Sequence, residues 1–248
     1  VSEPTVAVVS GGGTGIGKAI AARLALANEV VILGRRADVL AEAAAELGPR
    51  VHARQVDVSA KDAVVAFAEW LRAEHGRVDV VLNNAGYLLP VTLADIEAGE
   101  ANLDEVLGAN LKGAYLLTAA LRDLLSSPGG RVVNISSIAG YSGGSGAGAA
   151  QAYAAAKAGL TGLSFGMARE LGPLGITVNV VAPGFIADTG FTTDFPAERQ
   201  RWLAEQTVVG RAGHVDDVAH AVEFLASAQA SFISGHVLHV NGGWLFGR

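Results

Sequence analysis

The chain has 248 residues, half of them apolar, with no cysteine and a formal net charge of -6. An acidic balance with pI near 5.5 argues against nucleic acid or an anionic membrane as the main partner. The missing cysteines exclude disulfides, thiolate catalysis and Cys-ligated metal, and they fit a reducing cytoplasm.

No linker, charge block or repeat divides the chain, so a single domain over 1–248 is expected, with ample material for a core. Val1 to Thr5 lack a basic stretch leading into an apolar one, so no signal peptide is expected. Residues 132–156 carry no charge but include many Gly, Ser, Asn and Gln residues, which argues against a membrane span. A soluble, cytoplasmic protein follows as the expectation.

Strand-like and helix-like segments then alternate. Val6 to Val9 reads as the first strand, and Ser10-Gly-Gly-Gly-Thr-Gly-Ile-Gly17 leads from it into a helix over 16–27. Gly11, Gly13, Thr14, Gly15, Ile16 and Gly17 thus lie where backbone N–H groups and a helix N-terminus can receive a pyrophosphate. The spacing Gly-x-x-x-Gly-x-Gly differs from the commoner Gly-x-Gly-x-x-Gly, and no P-loop lysine follows. Val30 to Leu33 is the second strand, ending in Gly34-Arg35-Arg36 before a helix over 37–47. A carboxylate at this point would hold a ribose 2′-OH, whereas two guanidinium groups suit a 2′-phosphate, which favours NADP(H) with NAD(H) as the alternative.

Val51 to Val58 reads as the third strand, a helix spans 60–75, and Val78 to Leu82 forms the fourth strand before Asn83-Asn-Ala-Gly86. A long helical pattern covers 102–126 and contains Asn110, a poor helix former consistent with a local kink. Arg131 to Ile135 is the fifth strand, followed by Ser136-Ser137. The alanine-rich helix over 151–171 carries Tyr153 and Lys157 four apart, on one face. A free phenol has a pKa of about 10; an adjacent ammonium favours the phenolate, and a shift of about 2 to 3 units takes roughly 3 to 4 kcal/mol. Ile176 to Val181, a helix over 215–227 and His236 to Val240 complete the alternation. The pattern predicts an α/β doubly wound fold of the Rossmann type: seven strands, mainly parallel, with helices on both faces and ligands beyond the strands' carboxyl ends.

In order, these motifs resemble the short-chain dehydrogenase/reductase family in its single-domain form. The resemblance runs end to end: Gly11/Gly15/Gly17, Asp57-Val58, Asn83 to Gly86, Asn110, Ser136-Ser137, Tyr153, Lys157, Pro183-Gly184 and the tail Val237 to Trp244. It implies hydride transfer between nicotinamide and a ketone or secondary alcohol. Tyr153 would be the acid-base group, with Lys157 depressing its pKa and holding the nicotinamide ribose. Ser137 would bond the carbonyl oxygen, Ser136 would serve the backbone, and Asn110 would hold a water linking Lys157 to solvent. Asp57 and Val58 would border the adenine, and Asn84, Ala85 and Gly86 would line the cofactor's middle. Pro183, Gly184 and Ile186 would cover the nicotinamide beneath a lid over about 185–210. The family also implies a homo-oligomer, expected as a homotetramer paired through the helices at 102–126 and 151–171.

Three departures stand out. Thr14 replaces the basic residue of many NADP-dependent members, the 141–150 loop is longer than in the acyl-carrier reductases the chain is most like, and Asp188 occupies a position often held by Thr, with Thr189 one later. Within the family the chain leans toward 3-oxoacyl-thioester reductases; NAD(H)-dependent sugar, polyol or steroid-type dehydrogenases are the alternative. A non-catalytic nucleotide-binding protein is the rival from another class. The six histidines form no metal-site pattern, so no metal is expected.

Overall fold

A computed structural model describes residues 5–144, 150–187, 189–193 and 195–246. The strands are β1 (Thr5–Ser10), β2 (Asn28–Gly34), β3 (Val51–Gln55), β4 (Val80–Asn83), β5 (Arg131–Ile135), β6 (Thr177–Pro183) and β7 (Val237–Val240). They form one sheet in the order β3-β2-β1-β4-β5-β6-β7, and every pairing is parallel. The helices are α1 (Gly15–Leu24), α2 (Ala37–Leu47), α3 (Lys61–His75), α4 (Ile96–Leu107), α5 (Gly113–Leu121), α6 (Ala139–Ser142), α7 (Gln151–Leu171), α8 (Ala197–Glu205) and α9 (Val215–Ala226).

Alternation along the strands supplies two cores. Val6 and Val8 of β1 and Val31 and Leu33 of β2 face one side, where they pack with Phe67 and Leu71 of α3, Leu117 and Leu121 of α5, and Leu171 of α7. Ala7, Val9, Val30 and Ile32 face the other and meet Ile20 and Leu24 of α1, Leu40 of α2, and Val222 and Leu225 of α9. A strand buried on both faces is largely apolar, which is why the sequence of these two strands runs nearly unbroken. Each such side chain taken from water contributes about 1.5–3 kcal/mol. The strand order reverses between β1 and β4, which opens the crevice at their carboxyl ends.

Several boundaries differ from expectation. The third strand stops at Gln55 rather than Val58, because its partner β2 ends at Gly34, the residue opposite Gln55. Asp57 then turns the chain by accepting from the Ser59 N–H (2.9 Å) and Oγ (2.7 Å). The helical pattern at 102–126 begins earlier, at Ile96, where Asp95 caps Ala98 N–H. It is interrupted by a π-helical turn over Gly108–Lys112. Asn110 lies in that turn and donates its side-chain amide to the Val106 carbonyl four residues back (3.0 Å), which accounts for the kink. The first helix ends at Leu24 rather than 27, and α6 and α8 had no clear sequence signal.

Candidate active site

The glycine turn is built by close backbone approach. A Cβ at Gly17 would stand 2.0 Å from the Gly11 carbonyl oxygen, and Gly11 itself has φ +67°. Only glycine permits that contact and that conformation. Asn84 stitches the turn to β4, its amide donating to the carbonyls of Ser10 (3.2 Å) and Gly11 (3.1 Å). Ser10, buried at the end of β1, accepts from the N–H groups of Asn84 and Ala85. The sequence reading passed over Ser10; a polar residue closing an apolar strand was the available signal.

Gly13, Thr14, Gly15 and Lys18 line a concavity of about 270 Å³ with Val39 and Glu42. Thr14 precedes α1 without capping it by its side chain, and no acidic residue occupies the first turn. Open N–H groups, the helix dipole and the glycine walls suit a pyrophosphate, so the residues present fit a dinucleotide. Ile16 is half-buried against the core on the α1 face.

At the end of β2, Arg35 and Arg36 are both exposed. The Arg35 guanidinium lies 4.8 Å above the ring of Tyr87. Burial raises the Asp57 carboxyl, but the Ser59 hydrogen bonds and the Arg35 and Lys112 charges outweigh it and leave its pKa below the usual value. Asp57 therefore stays anionic beside Arg35. Val58 is buried against Gly113, whose missing side chain lets the helix approach; a Cβ there would be 2.7 Å from the valine methyl.

Behind β4 lies a second close approach. A Cβ on Gly86 would stand 2.1 Å from Asn110 Oδ1 and 3.4 Å from Lys157 Nζ, so both polar groups converge above this glycine. Asn110 donates to the Tyr87 carbonyl (2.9 Å) as well as to Val106, while its own Oδ1 is buried with no partner. Asn83 serves the frame, donating to Thr118 (2.9 Å) and Asn134 (2.7 Å) between strands and helix.

After β5 the two serines divide. Ser136 donates to the Lys157 carbonyl (2.8 Å) and so serves the backbone, as the sequence implied. Ser137 Oγ accepts from the Ala139 N–H (3.1 Å), and its hydroxyl acts to lower the Tyr153 phenol's pKa. On α7, Lys157 is buried, its Nζ 5.5 Å from the centre of the Tyr153 ring and donating to the Ile135 carbonyl (2.8 Å). Burial lowers the Lys157 pKa to about 8. Burial also pushes the Tyr153 phenol up to about 12, against the smaller lowering effect of Ser137. The Lys157 ammonium donates to a strand carbonyl, and desolvation is the largest influence on both groups. Tyr153 is consequently a neutral donor at physiological pH.

Pro183 ends β6, its carbonyl accepting from Ile138 N–H (3.0 Å), and Gly184 donates to Val240 (2.9 Å). Ile186 pairs with Gly213 through reciprocal backbone bonds of the flanking residues, Ala187 to Gly213 and Gly213 to Phe185, both 2.9 Å. The segment between thus leaves and returns at one clasp. Arg211 reinforces it, gripping Asp217 of α9 at 2.7 and 2.9 Å. Asp188 and residues 145–149 of the lengthened loop lie outside the described residues. Thr189 is buried, sits 3.1 Å from the Thr192 hydroxyl, and its Cβ is 3.7 Å from where a Cβ on Gly15 would be. A threonine therefore faces the glycine turn one residue later than the family pattern. Phe191 lies against Tyr153, ring centres 5.7 Å apart. Among the described residues no His/Asp/Glu cluster could hold a metal, and no helix is long and apolar enough to cross a membrane.

Comparison with known proteins gives the same direction. The family profile described as Enoyl-(Acyl carrier protein) reductase matches residues 11–245. The chain is 38% identical over 243 residues to the 3-oxoacyl-(acyl-carrier-protein) reductase FabG of Escherichia coli K12, covering 97% of both chains. It is 39% identical over 250 residues to that of Aquifex aeolicus, covering 96% of both, and 38% over 243 residues to that of Pseudomonas aeruginosa, again 96% of both. With this fold and these full-length relatives, the chain belongs to the short-chain dehydrogenase/reductase family, NAD(P)-dependent oxidoreductases acting on CH–OH and keto groups.

Proposed function

We propose that the protein is an NADP(H)-dependent 3-oxoacyl-thioester reductase, working in the cytoplasm, with Asn110, Ser137, Tyr153 and Lys157 as its catalytic group. The observation that carries this reading is the convergence of Tyr153, whose phenol Ser137 acts on, with a buried Lys157 5.5 Å from its ring centre, at the strand ends that hold the glycine turn. Two hydroxyls converging on one point suit a ketone oxygen. That favours the 3-oxoacyl activity of the relatives over the enoyl reduction in the family description.

Bound NADPH would supply hydride to the carbonyl carbon. Ser137 holds the carbonyl oxygen as negative charge develops, and Tyr153 delivers the proton. A phenol held at about 12 is fully protonated at neutral pH, the form that carbonyl reduction needs. Lys157 stabilises the phenolate left behind. Asn110 Oδ1, buried and lacking a donor, is suited to hold a water that returns the proton from solvent. The cofactor would lie along Gly11, Gly13, Thr14, Gly15, Ile16 and Gly17. Asp57 and Val58 would border its adenine, Ala85 and Gly86 its middle, and Pro183, Gly184 and Ile186 its nicotinamide. Asn84 would contribute through its backbone, since its amide is committed to Ser10 and Gly11. The segment 185–210, held at the clasp, would be the substrate lid.

A homo-oligomer belongs to the same reading. Leu107, Leu111 and Tyr115 line a groove of about 600 Å³ on the α4–α5–α7 face, and beside it Gly162 and Gly166 of α7 open onto empty space where a second helix can approach closely. Light scattering should show a tetramer; a monomer at micromolar concentration would overturn this. Calorimetric titration tests the cofactor, with NADPH expected to bind more tightly than NADH and the reverse order overturning the assignment.

A further inference from the structure

We infer that Tyr87 is a positioning residue for cofactor selectivity: its ring holds the Arg35 guanidinium in place across the mouth of the dinucleotide crevice. The inference rests on the NADP(H) reading above. Arg35 follows β2 and Tyr87 follows β4, and β1 lies between those strands, so the contact between the two side chains spans the crevice. At 4.8 Å from the ring centre, the guanidinium is well within the ~6 Å reach of a cation–π contact.

Both partners are held from behind. The Tyr87 carbonyl accepts from Asn110 (2.9 Å), and its hydroxyl donates to Glu105 Oε1 of α4 (2.9 Å). The Arg35 carbonyl accepts from Gln55 (2.8 Å), and the guanidinium is drawn toward the Asp57 carboxylate. Arg36, by contrast, makes no side-chain hydrogen bond or ion pair among the described residues. The guanidinium over the ring also engages the Tyr87 hydroxyl, and with five N–H donors it retains others for a planar or tetrahedral acceptor. An arginine on an exposed loop loses much rotamer freedom when it grips a phosphate; one already stacked loses less. Tyr87 thereby makes Arg35 the prepared member of the arginine pair, and the benefit falls on the 2′-phosphate, which only NADPH carries. The same tyrosine meets Asn110 through its carbonyl, so one residue joins Arg35 to the π-helical turn that carries Asn110.

The experiment measures dissociation constants for NADPH and NADH in the full-length protein carrying Tyr87→Leu, Tyr87→Phe or Arg35→Ala. Removing the ring should lower the NADPH preference about 3- to 10-fold, through weaker NADPH binding. Tyr87→Phe keeps the ring and should retain most of the preference; should the leucine variant fail to fold, Tyr87→Ile takes its place. An unchanged preference in the leucine variant, or equal weakening of both cofactors, overturns the role of Tyr87. A wild-type preference that Arg35→Ala removes but Tyr87→Leu leaves intact does the same while sparing the NADP(H) reading. A wild type that does not prefer NADPH sinks that reading itself.

Discussion

Lys157 is 3% exposed, and burial lowers its pKa from 10.5 to about 8. A base whose folded pKa lies below its unfolded value penalises the native state while it is charged. The penalty is present in full below about pH 8 and is relieved as pH rises to about 10.5, because the unfolded chain binds more protons across that window. Relative to Lys157→Met, which cannot titrate, the wild type should gain about 2 kcal/mol of stability between roughly pH 7.5 and 9.5. At neutral pH the variant should itself be more stable by about 1 to 2 kcal/mol: the relieved desolvation of about 3 kcal/mol is offset by losing the hydrogen bond to the Ile135 carbonyl. Urea unfolding of both proteins at the two pH values gives the comparison directly. Tyr153 titrates in the opposite sense, its stability contribution being lost from about pH 10 to 12, so work below pH 10 isolates the lysine. Parallel pH dependences for the two proteins would refute the buried-charge argument.

Two further outcomes follow from the packing. Gly86→Ala places a methyl 2.1 Å from Asn110 Oδ1, so it should cost about 1–3 kcal/mol of stability and lower turnover by displacing Asn110, seen as a drop in both melting temperature and kcat. At the clasp, the Arg211 pair and then the His214 N–H hold the Asp217 pKa at about 2, so this contribution is present above about pH 4 and lost as pH falls toward 2. Asp217→Asn should make trypsin cleave faster at Arg199 or Arg201, and an unchanged cleavage rate would dissociate the clasp from the lid.

The parallel sheet was legible because strands buried on both faces are largely apolar, as Val30 to Leu33 are. The glycine turn and the Tyr153/Lys157 pair were legible because each rests on fixed local spacing. What escaped depends on partners far apart in sequence. Tyr87 takes its place from Arg35, Glu105 and Asn110, and nothing near position 87 announces those contacts. The end of the third strand was set by the length of its neighbour, not by Val56 and Val58, which are apolar because they pack in the core with Leu117 and Leu121 of α5. Spacing likewise puts an ammonium near the phenol, but it does not show the burial of Lys157 or its hydrogen bond to the Ile135 carbonyl, 22 residues away.

The decisive measurement follows NADPH oxidation with a 3-oxoacyl thioester in the wild type and in Tyr153→Phe, with NADPH binding measured alongside. If Tyr153 delivers the proton, the wild type turns over, the variant loses about 100- to 10,000-fold, and NADPH affinity stays nearly unchanged. Turnover that survives the substitution, or a wild type that binds NADPH yet reduces no 3-oxoacyl thioester, would contradict the proposed function.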